Sequence, residues 1–307
     1  MEHPLLGIEI GGTKLQIVVG TPEGRILDRH RFAVNPAEGG TGIRRHIEAC
    51  VRGLVDTVRP AAVGVGYGGP VDWQTGQICC SHHVEGWSDF PLGTWLASFS
   101  KCPVVIDNDA NVASLGEAVH GAGAGFNPVF YVTLGSGVGG GLSLDGRIYH
   151  GAKPGESEIG HMRLDRSGTI LESRCAGWSV DRRVREAVQF VPNGILARHA
   201  AQFPKAEARA LVPALHEGDE MARNILNDTA GDLAFGLSHV VHLFHPEVVV
   251  IGGGLSLIGA PLRDAVAAAL PQWTMKAFVP GPKVFLSKLG EDVVPTGALA
   301  LAAQALK

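Results

Sequence analysis

The sequence predicts an α/β protein organised as two lobes, and three observations lead there. Apolar runs of strand length alternate with stretches of helical periodicity along most of the chain. Its 307 residues exceed the usual size of one domain, so two lobes of roughly 120 to 180 residues are expected. One strand-turn-strand pattern also occurs twice. Leu6 to Leu27 reads as apolar strand, Gly11-Gly12-Thr13, apolar strand, then a turn into Gly24-Arg25-Ile26. Phe130 to Ile148 repeats it as strand, Gly135-Ser136-Gly137, strand, then Asp145-Gly146-Arg147-Ile148. Each lobe is expected to begin with this hairpin.

In chain order, the first strands are Leu5 to Ile10, Leu15 to Gly20 and Arg25 to Ala33, and the tight turns between them imply an antiparallel meander. Ile43, Ile47, Val51, Leu54 and Val58 recur every three or four residues and predict a helix. Strands follow near Ala61 to Gly66, Pro103 to Ile106 and Pro128 to Leu134, with a helix from Ala110 to Val119 between the last two. The longest helical stretch is Asp219 to Phe244, and Glu247 to Ile251 reads as a buried strand entering Gly252-Gly253-Gly254. An Ala/Leu-rich helix, Thr296 to Leu306, closes the chain. The glycine-rich stretch from Gly121 to Gly125 marks the lobe boundary. Residues 1–120, completed by the C-terminal segment 295–307, form the expected N-terminal lobe, and 121–294 the C-terminal lobe.

Composition narrows the function classes. Apolar residues make up 45% and charged residues 18%, which fits a folded globular chain rather than a disordered one. The net charge is −4 and the basic residues stand singly or in pairs such as Arg44-Arg45, so no positive stripe for a nucleic-acid groove is present. No run of about 18 apolar residues occurs, and the short segment after Met1 is too small for a secretory signal, so neither a membrane partner nor export is expected. Five cysteines form no CxxC pair, as in a reduced, cytoplasmic protein.

Small residues at a strand-to-strand turn let backbone N–H groups converge on an anion. Gly11-Gly12-Thr13 and Gly135-Ser136-Gly137 each add a hydroxyl able to bond a phosphate oxygen, and two such turns can hold a polyphosphate. Either one alone is more simply a hairpin turn. Gly64 to Gly69 and Gly135 to Gly140 both match G-x-G-x-x-G, but neither leads into a helix, which a dinucleotide site requires. A P-loop, G-x-x-x-x-G-K-[ST], is absent.

Ile106-Asp107-Asn108-Asp109-Ala110-Asn111 ends a strand and begins a helix. Helix capping explains one polar residue there. Four of the six are polar, and a carboxylate beside amide donors suits a general base with a clamp for sugar hydroxyls. A second cluster, Glu156, Glu158, His161 and Glu172, offers carboxylates and an imidazole to further hydroxyls, although each alone reads as a surface residue.

The order of these motifs resembles the ROK family of bacterial sugar kinases and sugar-responsive repressors. The matching pieces are Gly7 to Lys14, Gly64 to Asp72, Ile106 to Glu117, Thr133 to Gly141, Glu158-Ile159-Gly160-His161, Leu171-Glu172 and Ile251 to Gly254. The resemblance implies a two-lobed actin-like (ribonuclease H-like) ATPase fold with a central cleft, and a homodimer. It implies that Gly11, Gly12, Thr13, Lys14, Gly135, Ser136 and Gly137 hold the phosphates of ATP, with Gly252, Gly253 and Gly254 near the adenosine. Gly69, Asn108, Asp109, Glu158, His161 and Glu172 fall at the family's sugar contacts, and Asp109 takes the place of the catalytic base.

Three departures from the family pattern stand out. Glu9 replaces the usual Asp, a longer side chain expected to reach Mg2+ through water. Gly68 and His83 stand where many members have proline and asparagine. Most members carry a cysteine zinc site after the histidine, but Met162 to Ser173 contains no cysteine and Cys175 lies beyond the matching stretch. No structural zinc is therefore expected, and His161 needs another partner to orient it.

The expectation that follows is transfer of the γ-phosphate of ATP to a hexose hydroxyl, glucose-like and at the 6-hydroxyl, with Asp109 as general base. N-acetylhexosamines such as N-acetylmannosamine, or fructose, need only altered pocket residues. A catalytically weak sugar-sensing protein is the competing reading. With the first strand at Leu5 there is no room for a helix-turn-helix segment ahead of it, so DNA binding is not expected. An actin-like filament or chaperone ATPase shares the hairpins but lacks the cluster of Glu158, His161 and Glu172.

Overall fold

The computed structural model describes residues 4–12, 14–80, 84–153, 155 and 157–306. Thr13, His83 and Glu156, singled out above, lie outside the described residues. Two compact units divide the chain: the first gathers Met1–Asn127, Gly141–Ser157 and Lys288–Lys307, the second Pro128–Gly140 and Glu158–Ser287.

The first unit opens with the expected meander, β1 (Leu5–Ile10), β2 (Lys14–Gly20) and β3 (Ile26–Ala33). Helix α1 (Gly39–Val58), strand β4 (Val63–Tyr67), the short hairpin β5 (Val71–Asp72) and β6 (Gln77–Ile78), helix α2 (Leu92–Ser100), strand β7 (Val104–Asn108) and helix α3 (Asp109–His120) follow. The sheet order is β3-β2-β1-β4-β7, with β1 antiparallel to β2 and β4 parallel to both β1 and β7. Because strand side chains alternate, β1 serves two cores at once. Leu6, Ile8 and Ile10 pack with Ile43, Ile47 and Val51 of α1 and Leu92 and Leu96 of α2. On the other face Leu5 and Val18 meet Leu299 and Ala302 of the last helix. Each such fully buried Leu or Ile contributes about 1.5–3 kcal/mol.

That second face explains the glycines of β4. A Cβ on Gly64 would run into the Ala298 carbonyl, and one on Gly66 would stand 2.5 Å from Val294 Cγ1. These residues let the last helix lie close on the sheet, so the G-x-G-x-x-G spelling records packing and not a dinucleotide loop. Strand β7 runs two residues past its expected end, because Asp107 and Asn108 still pair with Gly66 and Tyr67 of β4. The polar residues of the candidate site therefore stand at the carboxyl end of β7, the edge strand that runs parallel to β4.

The buried Glu117, near the far end of α3, accepts backbone N–H groups from Ala122 at 2.6 Å, Leu289 at 3.1 Å and Lys288 at 3.4 Å. Its carboxylate thus anchors the segment after α3 and the chain entering the last helix.

The second sheet repeats the first. Strands β8 (Val129–Leu134), β9 (Val138–Leu144) and β10 (Arg147–Ile148) form the second meander, and β9 passes from the second unit into the first at Gly141. Helices α4 (Glu172–Cys175), α5 (Gly177–Phe190), α6 (Ile195–Ala200), α7 (Leu211–His216) and α8 (Glu220–Phe244) precede β11 (Val248–Gly252), α9 (Ala260–Trp273) and β12 (Lys283–Leu286). The order β10-β9-β8-β11-β12, with β11 parallel to β8 and β12, matches the first sheet strand for strand. Asp219 caps α8 by accepting the Ala222 N–H at 2.8 Å. The last helix, α10 (Val293–Gln304), begins three residues before its expected start. Pro295 falls in its first turn, where a missing N–H leaves no bond unmade. No helix among the described residues is long and apolar enough to cross a membrane.

Candidate active site

In the first unit the site forms where β7 becomes α3. Asn108 has extended backbone, and its Oδ1 accepts the N–H groups of Ala110 at 2.8 Å and Asn111 at 3.3 Å, the geometry of a helix N-cap. Its Nδ2 donates to the Gly69 carbonyl at 3.2 Å, which fixes two of the expected sugar residues against each other. Capping is therefore the work of Asn108. The half-buried Asp109 follows as the first helical residue, where the helix dipole favours negative charge. A Cβ on Gly68 would lie 3.3 Å from Asp109 Oδ2 and 3.6 Å from Gly11 Cα. The carboxylate and the first glycine turn thus border one small space beside Gly68.

The turn itself is closed by a Gly11 N–H to Lys14 carbonyl bond of 2.8 Å. Lys14 Nζ stands 3.3 Å from Glu9 Oε2, and the Gln16 amide donates to the same oxygen. Gln16 was not picked out by its sequence context.

In the second unit, Gly135, Ser136 and Gly254 line a pocket of about 760 Å3 together with Gly177, Trp178, Phe203, Arg209 and Leu257. The first residue of α5 docks on the glycine turn through a Gly177 N–H to Gly135 carbonyl bond of 2.8 Å, so a helix N-terminus and a glycine turn meet at one wall. Gly253 has φ +79°, and a Cβ there would come within 2.6 Å of the Leu134 backbone, so the turn after β11 folds tightly onto β8. Gly252 packs against the Tyr131 phenol, and Gly137 stands beside Glu172. Trp178 and Phe203 carry no local motif; the one sequence signal was Gly177 at the start of an amphipathic helix.

Glu158 precedes and His161 ends a 3-10 turn, Ile159–His161, with side chains 54% and 70% exposed and therefore reachable by a ligand. His161 Nδ1 lies 3.3 Å from Glu158 Oε2. Glu172, at the start of α4, instead accepts the Val138 N–H at 2.9 Å, bracing the end of the Gly135 turn.

Between His161 and Glu172 the chain closes on itself. Leu164 N–H bonds the Thr169 carbonyl at 2.8 Å, and Leu171 N–H bonds the Met162 carbonyl at 2.9 Å. Asp165 Oδ1 accepts from the Ser167 hydroxyl at 2.6 Å, the Gly168 N–H at 2.9 Å and the Thr169 N–H at 3.2 Å. Those bonds, led by the Ser167 hydroxyl, hold its carboxyl well below the usual range. The nearby Cys175 is fully buried with its thiol 3.6 Å from the Thr229 carbonyl, and burial pushes its pKa up to about 12.

The chain matches known proteins over nearly its whole length. The profile described as the ROK family covers residues 5–305. A glucokinase of Thermotoga maritima is 29% identical over 305 residues, covering 97% of this chain and 96% of that one. A glucokinase of Halalkalibacterium halodurans is 30% identical over 301 residues, covering 94% and 91%. The crystal structure of a ROK family glucokinase from Streptomyces griseus, in complex with glucose and AMPPNP, matches with a TM-score of 0.84 at 29% identity over 98% of this chain and 99% of that one. The duplicated meander and the full-length match together show that the chain belongs to the ROK family and has its actin-like ATPase fold.

Proposed function

We propose that this chain is an ATP-dependent sugar kinase that transfers the γ-phosphate to a glucose-like hexose at its 6-hydroxyl, with Asp109 as general base. The observation that carries the reading is the division of labour at the head of α3. Asn108 caps the helix, and the Asp109 carboxylate borders the space beside Gly68 and Gly11. The names of the relatives, glucokinases of about 30% identity, point the same way.

In this mechanism Asp109 accepts the hydroxyl proton as the sugar oxygen attacks the γ-phosphorus, and ADP departs. Of the proposed sugar contacts in the second unit, Glu158 and His161 act through their exposed heads and Glu172 through the oxygen that does not hold the Val138 amide; those proposed in the first unit are Asn108 and Gly69. In the second unit the Gly135-Ser136-Gly137 turn takes phosphate oxygens of ATP and the pocket wall at Gly254 its adenosine end, and in the first unit Gly11, Gly12 and Lys14 take phosphate oxygens. A magnesium ion carried mainly by phosphates and water needs only one or two carboxylates, and Glu9 fits that need. When bound, it neutralises phosphate charge. All five cysteines are free thiols, consistent with a cytoplasmic place of work.

The test is ADP release measured over glucose, fructose, N-acetylmannosamine and N-acetylglucosamine. Turnover is expected to be fastest with glucose, and phosphorus NMR is expected to place the new ester on the 6-oxygen. Thermal stabilisation by a sugar without ADP release from any of them would make this a sugar-sensing protein instead.

A further inference from the structure

We infer that His150 is a positioning residue for phosphoryl transfer: it holds the buried Asp107 carboxylate and thereby fixes the backbone on which Asp109 acts. The inference rests on the kinase reading above and adds a residue that neither the motifs nor the family match singled out.

Asp107 is the next-to-last residue of β7 and is 3% exposed. A carboxylate buried to that degree is tolerable only when its oxygens are bonded. Oδ1 accepts the Asn108 N–H at 2.8 Å and the Asn111 side-chain amide at 2.9 Å, and Oδ2 meets His150 Nε2 at 2.5 Å. Two of these bonds run to the residues on either side of the Asp109-Ala110 step. The third comes from a residue 43 positions along the chain.

His150 is itself held. Its ring stacks on Trp73 with centroids 4.1 Å apart and planes 12° from parallel. Three residues on, Lys153 Nζ bonds Asp72 Oδ2 at 2.7 Å, and that bond, more than any other, keeps the Asp72 carboxyl below its ordinary value. The Gly155 carbonyl accepts the Asn111 amide at 3.4 Å. The segment after β10 is therefore fastened both to the β5 turn and to the head of α3, with His150 as the member that reaches the carboxylate.

Removing the imidazole leaves Asp107 Oδ2 buried and without this donor. The side chain then turns or admits water, and the Asn108 and Asn111 contacts shift with it. Asn108 is the cap from which Asp109 departs, so the base moves relative to the hydroxyl it must reach. A misplacement of about 1 Å costs on the order of 10²-fold in rate. His150 touches no substrate in this scheme and acts through Asp107.

The experiment compares His150→Ala, His150→Gln and His150→Asn with the wild-type enzyme, measuring kcat, KM for sugar and for ATP, and the unfolding temperature. A glutamine amide reaches as far as imidazole Nε2; an asparagine amide falls one carbon short. His150→Ala and His150→Asn are expected to lose about 10- to 100-fold in kcat with KM for ATP unchanged, and His150→Gln to stay within about threefold of wild type. If His150→Ala fails to fold, the contrast between glutamine and asparagine decides. Equal kcat per folded molecule in all variants, with only the unfolding temperature lowered, overturns the positioning role while leaving the kinase reading intact. A wild-type enzyme that phosphorylates no sugar overturns the kinase reading, and this inference with it.

Discussion

Lys14 and Glu9 face each other across the first glycine turn, Nζ to Oε2 at 3.3 Å, with the Gln16 amide on the same carboxylate oxygen. The pair is partly exposed, so it adds little to stability, and its importance lies in the charge it sets beside the turn. Glu9→Ala is expected to raise the Mg2+ concentration giving half-maximal activity by about 3- to 10-fold, while Glu9→Asp stays near wild type. A magnesium titration of each variant checks this, and an unchanged midpoint for Glu9→Ala would remove Glu9 from the metal's surroundings.

A second prediction concerns the hairpin that stands where relatives are expected to carry zinc. Its closure by Asp165 and the protonated Cys175 thiol imply that strong chelators leave the unfolding temperature and activity at saturating Mg2+ unchanged. Asp165→Ala is expected to raise KM for sugar by about 3- to 10-fold, because the hairpin joins His161 to Glu172. Loss of structure on chelation would show that a metal holds this segment after all.

The parts of the fold that the sequence made legible are those set by local chemistry. Alternating apolar residues and glycine turns placed β1 at Leu5–Ile10 and revealed the doubled meander. The site was legible less evenly, since Asp and Asn both cap helices and both bind sugars. Residue type alone could not assign capping to Asn108; the Ala110 and Asn111 amides on its Oδ1 do. Glu172 read as a sugar ligand from its motif, and its bond to the Val138 amide is a tertiary contact across 34 residues. His150, Trp73 and Trp178 gave no signal, because their significance lies in partners far along the chain. Gly64 similarly answers to Ala298, more than two hundred positions away.

Glu117→Ala is expected to lower the free energy of unfolding by about 2–4 kcal/mol, since each buried N–H left without an acceptor costs about 1–3 kcal/mol and water can reach some of them. Urea denaturation measures it. A change below about 0.5 kcal/mol, the scale of an ordinary surface substitution, would mean that the three amide contacts are not holding the segment.

Burial pushes the His120 imidazole below its ordinary value, and the more weakly acting Glu23 carboxylate pulls the other way. The folded protein therefore binds this proton less readily than the unfolded chain. Stability is full above the unfolded value of about 6.5 and declines as pH falls through that value toward the lower folded one. The unfolding temperature of His120→Gln is expected to fall less than that of wild type between neutral pH and about pH 5.5. Parallel curves for the two proteins would rule out His120 as a source of acid sensitivity.

The account turns on the Asp109 carboxylate as proton acceptor, and one comparison reaches it directly: kcat of Asp109→Asn against wild type, with glucose affinity measured by calorimetry on both. Turnover is predicted to fall by about 10²- to 10⁴-fold with sugar binding largely kept. Wild-type turnover in the variant would contradict the assignment.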